Sequence, residues 1–91
     1  MITEEQVEKA LHFIRDNSSR IAALRGEMEY VDDYVKVVLA EQMLGSNSES
    51  AAAQERDARA SPEYKAVLQA KKESIKAYIE LDYKMKAANT C

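Results

Sequence analysis

The chain has 91 residues, enough for one small domain and too few for two independent cores. It is 46% hydrophobic and 32% charged, with 2 Gly, 1 Pro and no Trp. So few helix breakers in so much Ala, Glu, Lys and Leu point to long helices, exclude a collagen-like chain, and argue against a β-sandwich or a Rossmann-type sheet. The net charge of −3 is no basis for binding nucleic acid over the whole surface, and is too slight for a DNA mimic.

Thr3-Glu4-Glu5-Gln6 reads as a capping box, with Glu4 and Glu5 facing the positive end of the helix dipole. From there a seven-residue apolar repeat runs through Val7, Ile14, Ile21, Met28 and Val35. Ala10, Leu24, Val31 and Val38 occupy the position three further on. Asp16-Asn17-Ser18-Ser19 interrupts the pattern with residues that favour caps and turns. Either the helix breaks there, or one helix runs from about Thr3 to Leu44 with Asn17 at a seam position. The second reading is preferred, because the heptad phase is the same on both sides. A polar residue in such a seam costs stability and fixes register.

Leu44-Gly45-Ser46-Asn47 predicts a stop, with Gly45 closing the helix in the left-handed conformation and Ser46-Asn47-Ser48-Glu49 opening the next helix with a second capping box. That helix, to about Ala60, is rich in Ala, Glu and Arg and cannot hold a core alone. Ser61-Pro62-Glu63 predicts a third helix, Ser61 as N-cap and Pro62 at the first position, running to about Ala88. Its apolar face carries Tyr64, Val67, Leu68, Ile75, Tyr78, Leu81 and Met85, with Lys71 and Asp82 among them. Lys71 and Asp82 either reach past the seam to solvent or pair with charges on a partner helix.

Residues 1–45 are acidic, with five Lys/Arg against nine Asp/Glu, whereas residues 62–91 carry six Lys against four Asp/Glu. Opposite signs favour packing the two segments together. The expected fold is all-α: a long antiparallel helical hairpin, coiled-coil-like, with the short Ala-rich helix at the turn. At 1.5 Å per residue the first helix spans about 63 Å and the last about 40 Å. The mismatch predicts that Val7, Leu11, Phe13 and Ile14 lack an intrachain partner. Self-association through Val7, Ile14, Asn17 and Ile21 is therefore expected, as a homodimer or higher oligomer.

No constellation for catalysis emerges. His12 is the only histidine, Cys91 is a lone terminal thiol, and the two glycines lie too far apart for a phosphate loop. Asp32-Asp33 and Glu27-Glu29 read as solvated acidic face rather than a metal site. No catalytic, cofactor-binding or metal residue is expected, and the protein reads as non-enzymatic. No apolar run approaches the roughly 18 residues that cross a bilayer, and the acidic N-terminus is unlike a targeting peptide, so a cytoplasmic protein without a membrane partner is expected. Lys65, Lys71, Lys72, Lys76, Lys84 and Lys86 with Tyr64, Tyr78 and Tyr83 offer a single-strand nucleic-acid surface, but interleaved Glu63, Glu73, Glu80 and Asp82 disfavour it.

Glu55-Arg56-Asp57-Ala58-Arg59-Ala60-Ser61-Pro62-Glu63-Tyr64 resembles a family of short helical proteins of tailed bacteriophages and prophages, often encoded near recombination or single-strand annealing genes. Tyr30–Leu44 and Lys84–Ala88 are similar in style, so the likeness covers residues 20–88. In those relatives the last helix continues into aromatic and basic residues, whereas here it ends at Asn89-Thr90-Cys91. The resemblance implies a protein of the host-cell cytoplasm that engages either phage recombination or replication proteins or a host defence nuclease, as anti-CRISPR proteins do. The expected function is thus a protein–protein interaction module. Its candidate partner face is Glu27, Tyr30, Asp33 and Tyr34, where tyrosines supply contact area and carboxylates steer a basic, nucleic-acid-binding protein.

Overall fold

The computed structural model describes residues 2–90. Cys91 lies outside them. Helix α1 spans Glu4–Leu44, α2 Ala51–Ala60 and α3 Pro62–Asn89. The capping box at the start of α1 forms: the Gln6 amide N–H donates to Thr3 Oγ1 at 3.2 Å, and the Thr3 N–H donates to Gln6 Oε1 at 2.9 Å. The helix passes through Asp16–Ser19 without a break. The side chains there bond backward along the same helix, Asn17 Nδ2 donating to Phe13 O and Ser18 Oγ to Arg15 O. These hydroxyl and amide groups thus find partners without unwinding the turn.

The α1 terminus departs from expectation in two ways. Gly45 is not left-handed. Its φ of −81° and ψ of −6° continue the right-handed turn, and its N–H still donates to Glu41 O at 3.2 Å. Nor do Ser46 and Ser48 cap α2. Ser50 is the N-cap, its Oγ accepting from the Ala53 N–H, while Ser46 and Ser48 donate to Asp57 Oδ2 at 2.8 and 2.6 Å. The reason is that the Asp57 carboxylate, in the second turn of α2, is a strong acceptor for both hydroxyl protons. The link thereby folds back on α2. Ser61 caps α3 as its position suggests, Oγ accepting from the Tyr64 N–H at 3.2 Å and donating to Ala58 O at 2.6 Å.

The fold is an all-α antiparallel hairpin of α1 and α3, with α2 packed at the turn end mainly on α1. Its core is the buried cluster Val35, Val38, Tyr64 and Val67, flanked by Val31 and Leu39. Lys71 Nζ meets Asp32 Oδ1 at 2.8 Å and sets the register one step further along. At the other end, Met85 and Asn89 lie beside Ile14. These anchors define a continuous antiparallel seam. The α1 heptad supplies one side, and Tyr64, Lys71, Tyr78, Met85 with Val67, Ser74, Leu81 and Ala88 supply the other, each of them buried or half-buried.

This register corrects the length comparison for Phe13 and Ile14, which like Ile21 are half-buried on the intrachain seam, whereas Val7 and Leu11 stay exposed as it predicts. α3 begins level with Glu41, not Leu44, with Tyr64 packed on Val38, and so reaches lower on α1. Leu68 is likewise not a seam residue: it is exposed, and Ser74 takes the buried place that its polarity concealed.

The molecule is a rod of 67 × 20 × 16 Å with a radius of gyration of 19.9 Å. A compact chain of this size has a radius near 12 Å. Two helices can bury only one stripe each, and accordingly no large side chain among the described residues is completely enclosed.

Candidate interaction faces

A two-helix rod has two broad flanks beside its seam, and the seven-residue repeat assigns residues to each. One flank is lined along its whole length by shallow depressions between α1 and α3. Near the turn end these involve Tyr34, Glu41, Glu63, Ala66 and Ala70. In the middle they involve Phe13, Arg20, Ala77, Glu80 and Lys84. The α3 wall is low where Ala66, Ala70 and Ala77 line it. We call this flank the acidic face, since Asp16, Glu27, Glu41, Glu63, Glu73 and Glu80 outnumber Lys9, Arg20 and Lys84, with Asp16 paired to Arg15 and Glu80 to Lys76.

Tyr30 and Tyr34 stand on the α1 side of this face, one helical turn apart. Their rings stack with centroids 5.9 Å apart and planes 10° from parallel. They are 67% and 42% exposed, so they do not pack beneath the Ala-rich helix. Val37 and Leu44 continue the same exposed stripe. Glu27 and Asp33 are exposed beside the tyrosines. The four residues singled out in the sequence therefore occupy one accessible patch: i, i+3 and i+4 spacing puts Glu27, Tyr30 and Tyr34 on one stripe, with Asp33 at its edge.

The residues expected to mediate self-association divide differently. Ile14, Asn17 and Ile21 are half-buried in the seam with α3, and Asn17 lines the middle depression together with Leu24, Leu81 and Lys84. Val7 is exposed. Their seam positions serve the hairpin itself.

The opposite flank escaped notice in the sequence because its residues come from both helices. It carries Arg15, Arg25, Lys36, Lys65, Lys72 and Lys86, all exposed, against fewer carboxylates. Among the latter, Glu29 pairs with Arg25, Asp82 with Lys86 and Asp32 with Lys71. Hydrogen bonding and charge from Lys71, with a smaller contribution from Lys36, hold the Asp32 carboxyl below its ordinary value. Asp82 likewise raises the Lys86 ammonium. Leu11, Leu68 and Ile79 form exposed aliphatic points on this basic face, and Ile75 is half-buried between the last two.

Of the tyrosines offered for base stacking, Tyr64 is buried in the core and Tyr78 half-buried in the seam, leaving Tyr83 exposed. Tyr64 also accepts from Arg59, whose guanidinium is held by Glu55 at 2.7 Å. Among the described residues, no group of three or more His, Cys, Asp or Glu is arranged to hold a metal ion. No helix there is long and apolar enough to cross a membrane. No family model, curated protein or solved structure matches the chain.

Proposed function

We propose that this protein is a non-enzymatic interaction module that binds a protein partner through the acidic, tyrosine-bearing face of α1. The observation that carries this reading is the exposed Tyr30–Tyr34 stack flanked by Glu27 and Asp33. Stacked rings are already ordered, so a partner gains their contact area at small entropic cost. Carboxylates around them favour approach by a basic surface. The likeness of Glu55–Tyr64 to phage helical proteins supports a partner that handles nucleic acid, either a recombination or replication protein or a host defence nuclease.

The test is a Tyr30→Ala/Tyr34→Ala double variant, compared with the parent by circular dichroism and by partner capture from phage-infected cells. Both rings are exposed, so helical content and the thermal transition should persist while capture is lost. Capture that survives the substitution refutes the assignment of this face.

A further inference from the structure

We propose that, in the absence of that partner, the acidic face takes the basic face of a second copy of this chain, so that the hairpins associate front to back. The proposal rests on the interaction-module reading above and names a second occupant of the same face. Three observations converge on it.

The first is area. The chain exposes 6834 Å². A compact monomer of 10.3 kDa exposes about 5,400 Å². The excess of about 1,400 Å² follows from the rod shape and leaves room for two protein interfaces of ordinary size, at about 800 Å² each. A front-to-back arrangement uses two faces per chain.

The second is charge. The acidic face presents Glu27, Glu41, Glu63 and Glu73, whereas the basic face presents Arg25, Lys36, Lys65 and Lys72. Pairing two acidic faces, or two basic faces, sets like charges together. Pairing one of each sets opposite charges together and favours this contact over the symmetric ones.

The third is the position of the apolar points. The Asp32–Lys71 pair puts Leu68 level with Tyr34, on the other side of the rod, with Ile75 and Ile79 one to three turns further from the turn end. The tyrosine ridge of one copy therefore meets the aliphatic ridge of the next when the copies are offset along the rod by about one helical turn, roughly 5 Å. Flat rings against Leu and Ile, rimmed by opposite charges, form an apolar centre with a polar border.

Such a contact is heterologous. It continues into a ring or a filament, because the pair keeps one unused acidic face on one copy and one unused basic face on the other.

The experiment uses two variants of the full chain: a front variant, Tyr30→Ser/Tyr34→Ser, and a back variant, Leu68→Ser/Ile79→Ser. All four positions are exposed. Analytical ultracentrifugation is run at about 100 µM, where a contact of micromolar Kd is largely occupied. The parent protein should form species larger than a dimer, dissociating as salt is raised. Each variant alone should be monomeric. An equimolar mixture should give a dimer and nothing larger, because only one good front and one good back remain in each pair. Should a serine variant lose its helical signal, Lys65→Glu/Lys72→Glu serves as back variant, its exposed side chains having no place in the seam. A back variant that stays dimeric overturns the proposal in favour of a symmetric acidic-face dimer. A monomeric parent overturns it as well. If that monomer still captures another protein through Tyr30 and Tyr34, the interaction-module reading stands and only the self-partner falls.

Discussion

Ser74 offers the sharpest test of the seam. The residue is 6% exposed, and its buried hydroxyl meets no protein hydrogen-bond partner. The α3 heptad sets it between Lys71 and Tyr78 on the side facing α1, in the region of Met28. A buried hydroxyl without a partner costs about 1–3 kcal/mol relative to its hydrated state. Alanine removes that cost, leaves a cavity of a single oxygen atom, and is the better helix former by a few tenths of a kcal/mol. Ser74→Ala should therefore stabilise the hairpin by about 2 kcal/mol. For a chain of this size each kcal/mol shifts the midpoint by about 4–8 °C, so the thermal transition should rise by roughly 10 °C. Circular dichroism melts of parent and variant, at one protein concentration so that self-association does not enter, measure this directly. A variant that melts at or below the parent temperature refutes the reasoning, since the hydroxyl would then be making a bond that the seam register does not allow.

Three other substitutions probe separate parts of the rod. Asn17→Leu puts an apolar side chain at a seam position where the amide now bonds only to Phe13 O, and should raise the melting temperature; a drop would mean that the Asn17 bond holds α1 together at this turn. Ser61→Ala removes the cap received by the Tyr64 N–H and should cost about 1 kcal/mol, read as a lowered urea midpoint with unchanged slope. Asp57 is held below its ordinary value of 3.8 by the hydroxyls of Ser48 and Ser46. A lowered folded value means that this stabilisation is complete above the ordinary carboxylate range and disappears as pH falls through the lowered value. The melting-temperature gap between parent and Asp57→Asn should accordingly be constant near about pH 7 and close towards about pH 2; a gap that widens in acid would reverse the assigned sign.

Local chain chemistry makes much of this architecture legible. Thr3 and Gln6 start α1, Ser61 and Pro62 start α3, and the repeat from Val7 to Val38 marks the stripe that α1 buries. These features depend on residues a few positions apart, whose geometry is set by the helix itself. The exposed face of Glu27, Tyr30, Asp33 and Tyr34 was legible as a set because all four belong to one helix. Its opposite number was not. Leu11, Arg25, Leu68 and Lys72 become one surface only once α1 and α3 are aligned. The seam of α3 was half legible for a similar reason, since Leu68 looks like core and Ser74 does not, although the heptad buries the second and exposes the first.

The starts of α1 and α3, the apolar stripe of α1 and the antiparallel pairing of an acidic with a basic segment were thus determined by the sequence alone. The axial register was decided by tertiary structure. It depends on how far the link climbs before α3 begins, and that distance follows from the bonds of Ser46 and Ser48 to Asp57 and from the space α2 takes on α1. With α3 starting level with Glu41, the seam extends to Ile14, and Phe13, Ile14 and Ile21 serve the fold. The surface left for partners is then the two flanks, because a pair of helices encloses one stripe of each and has no third layer to cover the rest.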